Sequence, residues 1–158
     1  MKAEMINPFI TATLNVLSTM ANTEARKGEI YIKQDDKMAY DISGVIGIAG
    51  KMSGFVVVSF PESLALKVVS GFLGETKTEM SKDVIDAVGE FINMIAGGSK
   101  RVFAEQGYKY NIGIPNVITG KNHTINRPSN IMCVGVKFYV GDENFAIEVA
   151  LKPREDND

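Results

Sequence analysis

The longest helical pattern in the chain is residues 81–106, SKDVIDAVGEFINMIAGGSKRVFAEQ. At about 100° per residue, one side of this helix is apolar, and we take that stripe as the face that packs on the core. Ser81 is placed to cap the start, Asp83 lies in the first turn, and Gly107 ends the helix. The members of the stripe are Val84, Val88, Phe91, Ile95, Ser99 and Val102, with Ile85, Ile92 and Phe103 on its borders.

The segment before this helix carries two strand patterns and two further helix patterns. Asn7 suits an N-cap and Pro8 suits the first helical position, because proline lacks an N–H that this position leaves unused. The turn residues 50–53 separate two β-branched runs, which predicts a hairpin. In chain order we predict a helix over residues 7–20, a polar stretch over 22–28, strands over 40–49 and 54–60, and a helix over 61–73 that ends at Gly74.

Three strand patterns follow the long helix. We predict strands over residues 110–118, 131–140 and 145–151, a polar loop over 120–130, a hairpin turn over 141–144 and a charged tail over 152–158. The order of helix, two strands, two helices and three strands favours an α+β fold, with the helices on one face of a largely antiparallel sheet. No linker or repeat divides the chain, so residues 1–151 are predicted to form a single domain.

The composition is that of an ordinary globular protein. The 158 residues are 45% hydrophobic and 23% charged, which is enough apolar material for one core. The formal net charge of −2 gives no support for nucleic-acid binding or for a basic membrane anchor. Apolar runs such as residues 55–58 are far shorter than the ~20 residues of a membrane span, and the start of the chain does not resemble a signal peptide. We therefore expect a cytoplasmic protein with no nucleic-acid or membrane partner.

The scarcity of cysteine and histidine excludes several kinds of catalytic site. With one cysteine, Cys133, and one histidine, His123, the chain has no internal disulfide, no common Cys/His zinc site and no HExxH helix. We predict that Cys133 packs in an apolar strand and that His123 is a loop or interface residue. The glycine patterns that bind phosphate or dinucleotides are absent. Any catalysis would therefore use carboxylates, amides and hydroxyls.

One row of four residues follows the polar side of the long helix. Asp86, Glu90, Asn93 and Gly97 lie within about 40° of the direction of Asp86, opposite the core stripe. The carboxylate of Glu90 can pair with a cation on a partner, and the carboxamide of Asn93 can donate and accept hydrogen bonds at once and so orient water. Gly97 leaves room for another protein to approach. About one Glu-x-x-Asn pair is expected by chance in this composition, so the pair alone does not distinguish a site from a solvated helix face.

The row resembles the signature Asp/Ser-x3-Glu-x2-Asn of the CheC/CheX/FliY phosphatases of bacterial chemotaxis, with Asp86, Glu90 and Asn93 at its fixed positions. The likeness extends over residues 5–151. The first helix lacks the Glu-x-x-Asn spacing, and a single copy of the signature is similar to the CheX branch rather than to the two-copy CheC branch. Further similar segments are the Asn7-Pro8-Phe9 start of the first helix, the hairpin over 47–60 and the Gly120-x-Asn122-His123 loop.

The resemblance implies a CheX-like domain that hydrolyses the aspartyl phosphate of a phosphorylated CheY-type response regulator. It implies that Asn93 orients the attacking water and that Glu90 pairs with the regulator's active-site lysine, while Asp86 and Gly97 contact the partner. It implies that this chain binds no cofactor or metal, with Mg2+ held by the regulator, and that the protein is a homodimer paired through its sheets. Such a reaction depends on positioning more than on a strong base, which fits a site without histidine.

Two other interpretations stay open from the sequence. The same family includes flagellar-switch components, so the domain is alternatively a module that binds a regulator without hydrolysing anything. The second alternative is an unrelated α+β interaction domain in which the row beside Glu90 is merely solvated. Faster dephosphorylation of a regulator, binding without hydrolysis, and neither effect are the results that distinguish the three.

Overall fold

The computed structural model describes residues 3–126 and 130–154. Over these residues the chain forms three α-helices and seven β-strands. In chain order they are α1 (Ala3–Met20), β1 (Arg26–Ile32), β2 (Ile42–Gly50), β3 (Met52–Phe60), α2 (Glu62–Leu73), α3 (Lys82–Glu105), β4 (Tyr110–Ile112), β5 (Asn116–Thr119), β6 (Cys133–Val140) and β7 (Glu143–Pro153).

The seven strands form one sheet, in the order β1-β6-β7-β3-β2-β4, with β5 also paired to β2. Every pairing is antiparallel. The three helices share one continuous apolar cluster with one face of the sheet. A smaller cluster of Met38, Val57 and Ile125 is separate from it. The predicted α+β domain, with helices on one face of an antiparallel sheet, is confirmed.

Strands β2 and β3 form the predicted hairpin at the centre of the sheet. Their pairs run from Ile42 with Phe60 to Ile48 with Gly54. The turn is tighter than predicted, because only residue 51 separates the two strands. Gly54 has φ 150, and a Cβ there would lie 1.8 Å from the carbonyl oxygen of Ala150 on β7. Only glycine therefore lets β3 pair with β7 at this point.

Helix α1 begins at Ala3, so the predicted N-cap at Asn7 is wrong. Pro8 lies inside the helix, where its ring removes one backbone hydrogen bond. The upstream residues Met5 and Ile6 are 8% and 4% exposed. Continuing the helix to Ala3 carries both side chains into the core, and their burial offsets the lost bond. The preference of asparagine for the N-cap position is a local effect, and the burial of Met5 and Ile6 outweighs it.

The predicted bounds of α2 and α3 are confirmed to within a residue at each end. Gly74 ends α2 with a left-handed φ of 71°, as its position after the helix pattern predicted. Ser81 occupies the N-cap position of α3, but its hydroxyl makes no capping bond. Ser81 Oγ is buried and has no hydrogen-bond partner within the described part of the chain.

Two strand predictions need correction. Strand β1 was not predicted, and residues 22–28 were assigned to a polar stretch. It lies at the sheet edge against β6 with Ile30 and Ile32 52% and 54% exposed, so it lacks the buried alternation that indicates a strand. The predicted strand over 110–118 is interrupted by residues 113–115, because Pro115 has no N–H for the ladder. Both pieces, β4 and β5, pair with β2.

The last strand, β7, is longer than predicted. Lys152 and Pro153 pair with β3, and the N–H of Arg154 donates to the carbonyl oxygen of Lys51 at 2.7 Å. The predicted charged tail over 152–158 therefore begins inside a strand. Residues 155–158 lie outside the described residues.

The segment before β7 follows the prediction in outline. Strand β6 begins at Cys133 rather than at residue 131, and Cys133 is buried, as predicted. The hairpin turn to β7 is shortened to residues 141 and 142. Of the predicted loop over 120–130, residues 127–129 lie outside the described residues.

Candidate functional site

The predicted row lies on the outer side of α3. Asp86 and Glu90 are exposed, and Asn93 and Gly97 are half-buried. On the opposite side of the helix, the predicted core stripe is buried apart from the half-buried Val102. The structure thus brings the four predicted residues together on one outward face of one helix.

Two contacts fix α3 against its neighbours. A Cβ on Gly44 of β2 would lie 3.2 Å from the carbonyl oxygen of Val88, so a bare glycine is what lets the helix approach the sheet. The hydroxyl of Tyr110 donates to the carbonyl oxygen of Ala96 at 2.9 Å in the core. Burial raises the pKa of Tyr110, which keeps the hydroxyl protonated as a donor. A helix held in this way positions its outer side chains more accurately than a loop would.

The polar groups of Glu90 and Asn93 face outward without partners from their own chain. Within residues 3–126 and 130–154, neither side chain makes a hydrogen bond or an ion pair. As i, i+3 neighbours they project side by side from the helix surface. The carboxylate of Glu90 is therefore available to a cation of another molecule, and the amide of Asn93 to a water or an anion.

Packing against the described residues does not explain Gly97. A Cβ built at this position meets none of their atoms within 4 Å. The adjacent Gly98 differs, since a Cβ there would lie 3.3 Å from the Cβ of Ala12 on α1. Gly98 is thus explained by the packing of α1 on α3, whereas Gly97 leaves an open space on the outer face.

An open groove of about 580 Å³ runs beside the row, between the end of α2 and α3. Phe72 and Leu73 form its α2 side, and the ring of Phe72 packs on that of Phe91 at a centroid distance of 5.0 Å. Sequence analysis missed this groove, because Phe72 and Leu73 were assigned only to the apolar end of a helix. The pattern gave no signal for it, because adjacent apolar residues of the same helix, such as Val68 and Val69, are both buried in the core. The groove is lined by Phe72, Leu73, Glu75, Asp83, Asp86, Ala87 and Glu90.

His123 lies away from this face, in the loop after β5, as predicted. Its Nε2 contacts Ser43 Oγ at 2.6 Å, and its Nδ1 contacts the carbonyl oxygen of Gly120 at 2.7 Å. The Cα–H of Gly44 on β2 faces α3. Since successive residues of a strand face opposite sides, the side chain of Ser43 lies on the other face of the sheet. His123 therefore belongs to the packing of a loop on that opposite face, and the structure does not bring it to the row.

Neither a metal-binding cluster nor a membrane-spanning helix is present in the described residues. Within them, no group of three or more His, Cys, Asp or Glu side chains is arranged to hold a metal ion. None of the described helices combines the length and the apolar character needed to cross a membrane.

Comparison with known proteins gives one family. The family model described as chemotaxis phosphatase CheX matches residues 42–139, which include β2, β3, α2, α3 and the whole row. The CheY-P phosphatase CheX of Thermotoga maritima is 25% identical to the chain over 153 residues, which cover 96% of this chain and 98% of the relative.

Two solved structures are similar over nearly their whole length. A CheC-like superfamily protein from Shewanella sp. PV-4 superposes with a TM-score of 0.89 and 36% identity, covering 96% of this chain and 99% of that one. The chemotaxis protein CheX from Vibrio vulnificus superposes with a TM-score of 0.87 and 36% identity, covering 95% of this chain and 100% of that one.

Proposed function

We propose that this chain, which belongs to the chemotaxis phosphatase CheX family, hydrolyses the aspartyl phosphate of a phosphorylated CheY-type response regulator. The observation that carries the proposal is the pair of unpartnered groups, Glu90 and Asn93, side by side on the outer face of a fixed helix. The relative from Thermotoga maritima, a CheY-P phosphatase, supports the choice of substrate. Because such a regulator signals inside the cell, we place the reaction in the cytoplasm.

In this reaction the carboxamide of Asn93 orients the attacking water. The water oxygen forms a bond to phosphorus while the bond between phosphorus and the aspartyl oxygen breaks. The electron pair of that bond leaves with the aspartate carboxylate, and the water oxygen with both of its protons leaves as part of inorganic phosphate. Since phosphoryl transfer has a loose transition state, correct placement of the water supplies much of the rate increase.

Glu90 has a different role, which is to fix the geometry of docking. Its carboxylate is suited to pair with a lysine at the regulator's phosphorylation site. That ion pair fixes the position of the neighbouring Asn93 carboxamide relative to the phosphoryl group. Asp86 and Gly97 contact the partner on either side of this pair along the helix. We expect the Mg2+ of the reaction to be held by the regulator, so the residues of this chain provide positioning alone.

The test is phosphate release from a purified CheY-type regulator kept phosphorylated by acetyl phosphate, with and without this protein. We expect Asn93→Ala to lower kcat by about 100-fold or more, the usual effect of removing one group that acts in the transition state. Binding of Asn93→Ala to the regulator carrying beryllofluoride and Mg2+ stays within a few-fold of wild type. Glu90→Ala weakens binding and turnover together.

A matched control is Glu105→Ala, which removes an exposed carboxylate from the last turn of the same helix and leaves turnover unchanged. Binding by the wild-type protein without faster phosphate release would instead identify a regulator-binding module. If neither binding nor acceleration occurs with several regulators, the row is a solvated helix face. Full activity in both Asn93→Ala and Glu90→Ala would place the reaction elsewhere on the molecule.

We also propose that the protein is a homodimer in which two sheets pair along β1. This strand forms one edge of the sheet, and Ile30 and Ile32 leave an apolar strip exposed on it. An unpaired strand edge with such a strip readily pairs with another chain. Analytical ultracentrifugation is expected to give a dimer that dissociates in the Ile30→Lys variant, and a monomeric wild-type protein would contradict this proposal.

A further inference from the structure

The groove beside the row combines an apolar floor with an acidic rim. Phe72 and Leu73 supply the apolar surface, and Leu73 is 39% exposed although it is a large aliphatic side chain. Asp86 and Glu90 stand on the α3 side of the opening. The groove and the row therefore share two residues, so a protein docked over the row must also cover part of the groove.

The negative charge of the groove is only partly neutralised by its own chain. Lys77 Nζ lies 2.7 Å from Glu75 Oε1 and 3.3 Å from Asp83 Oδ2. Hydrogen bonds to these two carboxylates raise the pKa of Lys77, so the bridge stays charged. Asp86 and Glu90 have no ion pair within the described residues. The end of the groove nearest the row is thus left with two uncompensated carboxylates.

The groove is already formed in the free protein. The backbone N–H of Lys77 donates to Ser70 Oγ at 2.9 Å, and the N–H of Gly74 donates to the carbonyl oxygen of Ser70 at 3.0 Å. These bonds tie the connection between α2 and α3 back onto α2. Packing of Phe72 on Phe91 holds the floor against α3. A preformed surface binds without the entropic cost of ordering itself.

From these contacts we propose that the groove holds one apolar side chain of the regulator together with an adjacent lysine or arginine. The apolar side chain covers Leu73, and the cation pairs with Asp86, because Glu90 is already assigned to the lysine of the phosphorylation site. The inference rests on the proposed function, because it takes the docked protein to be the phosphorylated regulator. Beyond the proposed function, the inference states that the end of α2, which lies outside the signature, determines how tightly a given regulator binds. An apolar residue beside a cation is the feature that a well-recognised regulator must present.

The test is the same phosphate-release assay run over a range of regulator concentrations. Leu73→Ser removes the exposed part of the apolar floor. It is expected to raise KM about tenfold while kcat stays within about twofold, which is how a contact at the centre of an interface behaves. Leu73→Met keeps an apolar side chain and restores the wild-type KM. Asp86→Asn raises KM by about threefold, and it makes KM less sensitive to salt because an attractive charge has been removed.

A control variant makes the same change of charge elsewhere. Asp142→Asn removes an exposed carboxylate from the turn between β6 and β7. It is expected to keep the wild-type KM.

The outcomes separate this inference from the function on which it rests. If the wild-type protein does not accelerate phosphate release, the proposed function fails and no variant is needed. If it does, and Leu73→Ser and Asp86→Asn keep the wild-type KM and salt dependence, the groove proposal is overturned while the phosphatase stands. A loss of kcat in Leu73→Ser at unchanged KM would also overturn it, because the groove would then act on the chemistry and not on docking.

Discussion

Substitution of Gly97 by alanine is expected to make the protein more stable and less active. Glycine inside a helix costs about 1 kcal/mol relative to alanine, and a Cβ at this position meets no atom of the described part of the chain within 4 Å. We therefore expect Gly97→Ala to raise the free energy of unfolding by about 1 kcal/mol, or the Tm by about 2–4 °C for a domain of this size. The added methyl group stands on the face that we assign to the regulator.

The loss of activity follows from the close contact proposed at this point. A methyl group forced into a well-packed contact costs about 1–3 kcal/mol, which corresponds to a roughly 5- to 150-fold loss of affinity. Calorimetric unfolding gives the change in Tm, and titration of the regulator carrying beryllofluoride gives the change in Kd. Both measurements are made on the same preparation, so loss of folded protein cannot imitate weaker binding.

The matched control is Gly98→Ala, one residue further along the helix. A Cβ there would meet the Cβ of Ala12 at 3.3 Å, so α1 must shift slightly and the gain in helix propensity is offset. We expect little or no stabilisation and an unchanged Kd. The reasoning is refuted if Gly97→Ala binds the regulator as tightly as wild type, since the open space above Gly97 would then have no role in docking.

Three further predictions concern the scaffold. Tyr110→Phe removes the hydroxyl bonded to Ala96, so thermal unfolding should show a loss of about 1 kcal/mol with turnover retained. Gly54→Ala places a Cβ 1.8 Å from a carbonyl oxygen of β7, and a loss above about 3 kcal/mol should appear as little folded protein by circular dichroism. The ammonium of Lys67, 2.6 Å away, holds the pKa of Glu143 below its usual range. That stabilisation is present above the ordinary carboxyl pKa and is lost as pH falls through the lowered one. Glu143→Gln should therefore be less stable at pH 7 by at most about 1 kcal/mol, and the difference should shrink as the pH is lowered.

The parts of the fold that sequence analysis predicted are those with strong local signals. The bounds of α3 follow from a long amphipathic period, and the end of α2 follows from Gly74. The central hairpin follows from two β-branched runs around a short turn. In each case the local preference of the chain agrees with the burial that the fold imposes, so period and turn chemistry are sufficient.

The parts that it missed are decided by contacts between distant segments. Strand β1 forms because its backbone pairs with β6. Its isoleucines, Ile30 and Ile32, are exposed, so the strand lacks the alternation of buried apolar and exposed polar side chains that predicts a strand. The start of α1 is set by the burial of Met5 and Ile6, which a capping rule centred on Asn7 does not consider. The groove beside α3 likewise depends on where the end of α2 packs, and no local pattern contains that information.

The three glycines of α3 differ in what surrounds them, and this difference bears on the site. Each costs the helix about 1 kcal/mol relative to alanine, so each calls for a reason. Gly89 is buried, and a Cβ there would contact Val117 of β5 at 3.4 Å, while Gly98 meets Ala12 of α1. Packing therefore accounts for Gly98, whereas a Cβ at Gly89 would make an ordinary van der Waals contact in a buried position. Gly97 alone among the three faces open space, on the same outward row as Asn93, so no contact among the described residues explains it. The docking that we propose accounts for it, and this argument does not depend on the Glu-x-x-Asn spacing.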